Sequence, residues 1–357
     1  MMRVTQADNI PTKATVPPDG PAEALDLTAQ HLGLIILPGF AMGALASALE
    51  VIDEANRLLP ATVYRIRLWT TDGKPVRSQG WLSVAADSAM NTKSELDFLI
   101  VYCEEMPDEQ LVAAILPVIR YYNRHGVAIC GVAAGALLLA RAGIHEGQRW
   151  AVKWSYRDAF TELYPYSDLS LGLYEVHDQG FTCVGGHAFP HAVLNLIERR
   201  FGSDIAARIA FKQQLGPMRR ADDVQPHSLH LDAHHLPSKL RQMIALMAEN
   251  LEEPMPRGDI ARTVGLSSRQ MERLFVRYLK VTPKRYYNTL RLERARNLLR
   301  QTDMSLAEIA VACGFETPTG FSKTYRKIFG CQPRQDRKAA IGNQWPATAV
   351  NLTELGT

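Results

Sequence analysis

The feature that most constrains this chain is a segment that occurs twice. DIARTVGLSSRQMERLFVRYLKVTP (259–283) and EIAVACGFETPTGFSKTYRKIFGCQP (308–333) align with Ile260 and Ile309, Ala261 and Ala310, and Gly265 and Gly314 each 49 residues apart. Pro283 and Pro333 are 50 apart, which leaves one inserted residue. Each copy reads as a short helix, a glycine turn and a second helix. That is the plan of a helix-turn-helix, whose second helix is free to enter a major groove.

Local signals support both copies. Ser305-Leu-Ala-Glu308 and Ser267-Ser-Arg-Gln270 have the capping-box pattern. Thr317 followed by Pro318 supplies an N-cap and a proline at the first helical position. Leu266, Met271, Leu274 and Phe275 form one apolar stripe, and Phe315, Phe321, Tyr325 and Phe329 form the other. The opposite faces carry Arg269, Arg273 and Arg277, then Thr319, Ser322, Lys323 and Lys327. A helix opened by Pro283 is expected to join the units rigidly, so that two readers engage successive groove faces about 34 Å apart. Charge agrees. Residues 238–338 hold 20 Lys+Arg against 10 Asp+Glu, whereas residues 1–237 hold 20 against 26, which suggests a basic nucleic-acid module joined to a module with another task.

Residues 238–338, above all LAEIAVACGFETPTGFSKTYRKIFGCQPRQDR (306–337), resemble the AraC/XylS family of transcription regulators. By position, the resemblance implies that Arg269 and Arg273 read bases in one groove and Thr319, Ser322 and Lys323 in the next. Glu272, between the two arginines, is suited to accept from a cytosine amino group. Arg277, Lys280, Arg326 and Lys327 are placed for phosphates, which set affinity rather than sequence.

The first 237 residues have a different rhythm. LGLIIL (32–37), DFLIVY (97–102) and VAIC (127–130) are apolar runs of the kind buried on both faces of a parallel sheet. Helical spacing follows at 43–58, 111–122, 134–142 and 189–201, and a hairpin turns at Asp178-Gln179-Gly180. The expected architecture is an α/β doubly wound sheet domain followed by an all-α tandem helix-turn-helix domain. The expected boundaries are 1–30 disordered, 31–215 the sheet domain, 216–237 a linker, 238–338 the DNA-binding domain and 339–357 a flexible tail. The linker contains His227, His230, His234 and His235; no Glu or Cys completes a ligand set, so no metal is expected.

GLIILPGF (33–40), Glu50, GVAAGALLLARAGIHEGQRWAVKW (131–154) and VGGHAF (184–189) resemble the PfpI-type, class I glutamine amidotransferase-like fold, which precedes an AraC-type domain in regulators of the GlxA type. In enzymes of that fold a cysteine occupies a tight strand-to-helix turn. By position Ala133 stands there and Ala134 follows it, and neither can attack a carbon or move a proton. Lys153 replaces a family histidine, and Cys130 lies three residues early, within the strand, as an inert thiol. The domain is therefore expected to sense rather than catalyse. Amides at the start of helix 134–142, together with Glu50, Trp154 and His187, suit a small zwitterion such as an amino acid or betaine.

Five widely spaced cysteines without a CxxC pair argue against a disulfide framework or zinc site. The N-terminus lacks an apolar h-region, and the longest uncharged apolar stretch, Val127–Ala140, is too short to span a bilayer, so a cytoplasmic location is expected. The resulting expectation is a sequence-specific regulator, an activator, with no cofactor. Its expected partners are double-stranded DNA at a promoter operator, a small-molecule effector, RNA polymerase and a second copy met through the N-terminal domain. The competing readings are a cysteine amidase or hydratase with a DNA-binding appendage, and an effector-independent DNA binder.

Overall fold

The structure, a computed structural model, describes residues 26–216, 219–221, 223, 225 and 236–341. The first domain runs β1 (Gln30–Ile36), α1 (Met42–Leu58), β2 (Tyr64–Thr70), β3 (Val76–Arg77), β4 (Ser83–Val84), β5 (Ser88–Ala89), β6 (Phe98–Cys103), α2 (Glu109–Arg124), β7 (Ala128–Ala133), α3 (Gly135–Ala142), β8 (Arg149–Ala151), α4 (Trp154–Leu163), β9 (Asp168–Ser170), β10 (Tyr174–His177), β11 (Gly180–Cys183), α5 (Ala188–Phe201) and α6 (Ser203–Lys212). Seven strands form one sheet in the order β10-β11-β7-β6-β1-β2-β5. Every pairing is parallel except the β10–β11 hairpin.

The apolar runs of β1, β6 and β7 lie at the centre because both of their faces are covered. Leu34, Ile36 and Ile100 pack with Val51, Ile52, Val193 and Ile197 of α1 and α5. Ile35, Leu99 and Val101 pack with Ile115, Ile119, Leu138 and Phe160 of α2, α3 and α4. Helices on both faces make the sheet doubly wound. Three small elements and two helices carried no clear sequence signal: the β3–β4 hairpin, the edge strand β5, the β8–β9 pair, α4 and α6.

The expected 216–237 linker is partly integrated into this domain. Leu173 N donates to Ala221 O at 2.8 Å. Gln225 is buried, its Oε1 accepting from Trp154 N and its Nε2 donating to Val152 O, both at 2.8 Å. Those bonds satisfy backbone groups that a free linker would leave to water. His227, His230, His234 and His235 lie outside the described residues, as do residues 1–25 of the expected 1–30 segment.

The second domain is all helical among the described residues: α7 (Ser238–Glu249), α8 (Arg257–Thr263), α9 (Ser268–Leu279), α10 (Pro283–Gln301), α11 (Leu306–Ala312), α12 (Pro318–Phe329) and α13 (Pro333–Ile341). It holds two separate cores. One gathers Met243, Ile260, Met271, Phe275, Tyr286 and Tyr287; the other gathers Leu292, Leu298, Ile309, Phe321 and Tyr325. The first half of α10 thus belongs to one core and its second half to the other. Helix α13 continues to Ile341, three residues beyond the expected end of the domain. The sheet domain meets this domain where α4 packs on α10. Arg294 Nε stands 3.3 Å from Asp158 Oδ1, and Gln301 Nε2 donates to Ser155 O at 3.0 Å. Burial pushes the Asp158 carboxyl pKa up, against the pull of Arg294.

Candidate DNA interface and the turn at Ala133

Both recognition helices start as their sequences require. The Ser267 side chain accepts from Gln270 N while the Gln270 side chain returns to Ser267 N, so α9 opens with a complete capping box. Ser305 and Glu308 do the same for α11. Thr317 caps α12 ahead of Pro318, and Thr282 caps α10 ahead of Pro283. Each such cap contributes about 1 kcal/mol and fixes where its helix begins.

The apolar stripes then decide which way the polar residues face. Met271 and Phe275 of α9, and Phe321 and Tyr325 of α12, are fully buried. Arg269, Glu272, Arg273, Arg277 and Lys280 are consequently exposed on the first unit, and Thr319, Lys323, Arg326 and Lys327 on the second, with Ser322 half-buried. Among the described residues no carboxylate pairs with any of these seven cations. The basic faces are open to a polyanion.

The units are fixed to each other by more than α10. Arg291 donates from Nε to Cys313 O at 2.7 Å and from its terminal nitrogen to Gly314 O, with its guanidinium 4.0 Å over the Phe315 ring. Gly314, at φ +69°, sits against the carbonyls of Leu251 and Glu252 and the ring of Pro254, in the loop between α7 and α8. Buried Asp336 accepts from Arg296 Nε at 2.8 Å, from Arg300 at 2.5 Å and from the Tyr325 hydroxyl at 2.7 Å, tying α13 and α12 to α10. Burial raises the pKa of that carboxyl, but the bonds from Tyr325 and Arg300 outweigh it, so the pKa ends lower than usual.

In the sheet domain, β7 delivers Ala133 at φ 54°, a left-handed conformation uncommon for a residue with a side chain, and α3 begins two residues on. The close approach behind it requires glycine. A Cβ on Gly135 would stand 2.1 Å from Val101 O, and one on Gly131 would stand 2.8 Å from Ala136 N. Cys130 is completely buried, and desolvation pushes its thiol up to about 12, so it carries no thiolate at neutral pH.

The turn's immediate charges were not singled out as ligands by sequence. Glu104, at the end of β6, is buried; its Oε1 accepts from the Tyr102 hydroxyl and its Oε2 from Lys153 Nζ, each at 2.9 Å. Gly185 places both partners of the turn together, since a Cβ there would lie 2.7 Å from Ala133 Cβ and 3.3 Å from Glu104 Oε1. The available signal was position: Glu104 follows a central strand at its carboxyl end, where open α/β sheets bind ligands.

The structure revises part of the expected ligand set. Ala133 and Ala134 are both fully buried, and Ala134 N donates to Cys103 O at 2.9 Å instead of facing an open crevice. Ala41, at the start of α1, meets the Tyr102 hydroxyl that also donates to Glu104, whereas Glu50 is exposed nine residues further, about 13 Å along α1, and its carbonyl accepts from Gln213 Nε2; the acid at the turn is Glu104. Trp154, half-buried, directly follows Lys153 at the start of α4. His187, exposed, precedes α5 two residues after Gly185. A separate cavity of about 350 Å³ opens at the opposite, amino-terminal end of the strands, lined by Leu32, Ile52, Tyr64, Ile100, His177 and Arg199.

Two capped helix-turn-helix units with unpaired basic faces, carried beside a sheet domain whose strand-to-helix turn holds Ala133 and Ala134, define a DNA-binding transcription regulator. Comparison with known proteins makes the assignment narrower. Residues 260–339 match the family described as a helix-turn-helix domain. The chain is 35% identical over 308 residues to the HTH-type transcriptional regulator CdhR of Pseudomonas aeruginosa, covering 86% of this chain and 91% of that protein. It is 33% identical over 334 residues to the HTH-type transcriptional regulator ArgR of the same species, covering 92% and 98%. A crystal structure of an AraC family transcriptional regulator from Pseudomonas putida aligns at 21% identity and a TM-score of 0.47, over 51% of this chain and 98% of that one. The chain belongs to the AraC family of helix-turn-helix transcriptional regulators, and its relatives are named as regulators, not enzymes. No helix among the described residues is long and apolar enough to cross a membrane.

Proposed function

We propose that this regulator is an activator that responds to a small nitrogenous zwitterion, an amino acid or a betaine, received at the turn around Ala133. The observation that carries the reading is the Glu104–Lys153 ion pair beside a turn with no nucleophile. A zwitterion can enter such a pair without leaving a net buried charge: its carboxylate takes Lys153 and its cationic end takes Glu104, with Trp154 beside it as a cation–π wall and His187 at the rim. Lys153 is also the N-cap residue of α4, and α4 is the element that touches α10. Re-pairing at Lys153 therefore acts on the helix that supports both DNA-reading units. Bound at a promoter operator, the chain would present its effector state to RNA polymerase, with a second copy joined through the sheet domain.

The experiment is a thermal-shift and calorimetric screen of the full chain against glycine betaine and the L-amino acids, repeated on Lys153→Met. A stabilising ligand raises the melting temperature by mass action. The expected result is a shift with one zwitterion class that disappears in Lys153→Met. A shift that survives the substitution moves the effector to the cavity lined by His177 and Arg199. Silence across the panel favours an effector-independent DNA binder.

A further inference from the structure

The second helix-turn-helix unit has basic residues that the base-reading assignment leaves unused. A cleft of about 880 Å³ runs between the ends of α11, α12 and α13, and its walls include Thr319, Ser322, Arg334 and Lys338. Arg334 and Lys338 are exposed, four residues apart on one face of α13, and neither is paired with a carboxylate among the described residues. Arg337 between them serves the fold, with its guanidinium donating to Leu299 O and Met304 O. Asp336, the one acid in the first turn of α13, is turned inward to Arg296, Arg300 and Tyr325 and does not face Arg334.

The position of Arg334 is electrostatically adverse. It is the second residue of its helix, where the unsatisfied amides present positive partial charge and a cation is disfavoured. The internal repeat places a cation in the same setting in the first unit: Lys284 is the second residue of α10, directly after Pro283, as Arg334 follows Pro333. Lys284 is exposed, and α10 has no acid in its first turn. A cost accepted at matching positions of both copies calls for an anion from outside, and the cleft opens onto the same face as Thr319 and Ser322. We propose that Arg334 with Lys338, and Lys284 in the first unit, are a matched pair of DNA-phosphate clamps, one beside each recognition helix. They hold the backbone that borders the groove and carry no base information.

The test needs neither the operator nor the effector, because phosphate contacts form on any duplex. Affinity of the full chain for a 30-base-pair duplex of arbitrary sequence, read by fluorescence anisotropy, is followed from 50 to 200 mM KCl. Each phosphate contact contributes about 0.9 to the slope of log affinity against log salt. Arg334→Ala, Lys338→Ala and Lys284→Ala should each lower the slope by about that amount. Each variant then loses about 3.5-fold less affinity than the wild type over this range. Arg334→Lys should keep the wild-type slope, and Arg208→Ala, an exposed cation on α6, should leave it unchanged. Circular dichroism at each salt concentration confirms that the variants stay folded. Unchanged slopes in Arg334→Ala and Lys338→Ala overturn the clamp in the second unit, and an unchanged slope in Lys284→Ala overturns the matched arrangement. An equal drop in Arg208→Ala reduces the effect to net charge and overturns both.

Discussion

Gly314 and Gly265 are repeat-related, and both adopt left-handed backbone, at φ +69° and +71°. They differ in what surrounds them. A Cβ on Gly314 would meet Glu252 O and Pro254 Cγ at 2.6 Å and Leu251 O at 2.7 Å, whereas the nearest atom to one on Gly265 is Lys239 Nζ at 3.9 Å. Replacing either glycine with alanine incurs the left-handed penalty of about 1–2 kcal/mol. Only Gly314→Ala also opens the seat between the units, because its new methyl stands roughly 1 Å inside normal contact distance from a backbone that cannot swing aside. Overpacking of that kind costs about 1–3 kcal/mol more, so Gly314→Ala should destabilise its domain by about 2–5 kcal/mol and Gly265→Ala by about 1–2 kcal/mol. The assay is hydrogen exchange of amides in α10, because all five tryptophans, at 69, 81, 150, 154 and 345, lie outside residues 238–338. DNA affinity, measured where both variants are folded, separates stability from geometry. Gly265→Ala should bind a two-turn duplex as the wild type does, and Gly314→Ala should lose tenfold or more as the second reader leaves its groove. Equal exchange rates and equal affinities in the two variants would refute the idea that this seat sets the spacing of the units.

Other perturbations address separate parts of the molecule. Arg273→Ala should weaken the preferred site by about 1–3 kcal/mol and relax base preference at one position, as scored by selection from a randomised duplex pool. Asp336→Ala removes the buried carboxylate that the half-buried Arg296 and Arg300 share and should cost about 3–5 kcal/mol in chemical denaturation followed by far-UV circular dichroism. His145 is buried, with its pKa pushed down to about 4 by desolvation and then by neighbouring His177. Its folded value lies below its unfolded value of about 6.5, so its contribution is present above pH 6.5 and is lost as pH falls towards 4, by up to about 3 kcal/mol. His145→Gln should flatten that limb of the melting temperature against pH, and an unaltered limb assigns the acid sensitivity elsewhere.

The DNA-binding half was legible because its rules are local. Ser267, Ser305 and Thr317 announce their helices within four residues, and the spacing of Phe321 and Tyr325 alone turns Lys323 outward. The central strands were legible for a related reason, since LGLIIL and DFLIVY can be buried only from both sides. The candidate site at the Ala133 turn was harder to read because its chemistry is assembled across the chain. Glu104 and Lys153 are 49 residues apart and meet only through the order of the strands. Glu50 was selected by its resemblance and helix position, yet α1 carries it away from the turn. Helix α4 has no side-chain cap and opens on Lys153 and Trp154, so nothing in its sequence announced it. Gln225 looked like part of a linker because its partners, Trp154 N and Val152 O, lie more than 70 residues earlier.

Any coupling carried by the contact of Asp158 and Ser155 with Arg294 and Gln301 runs both ways. Free energy stored in that contact is indifferent to which side disturbs it. Whatever factor a molecule on the α4 side applies to the grip on a promoter, the promoter applies to the retention of that molecule. Copies seated on a chromosome and copies adrift from it would then be tuned to different concentrations of the same signal.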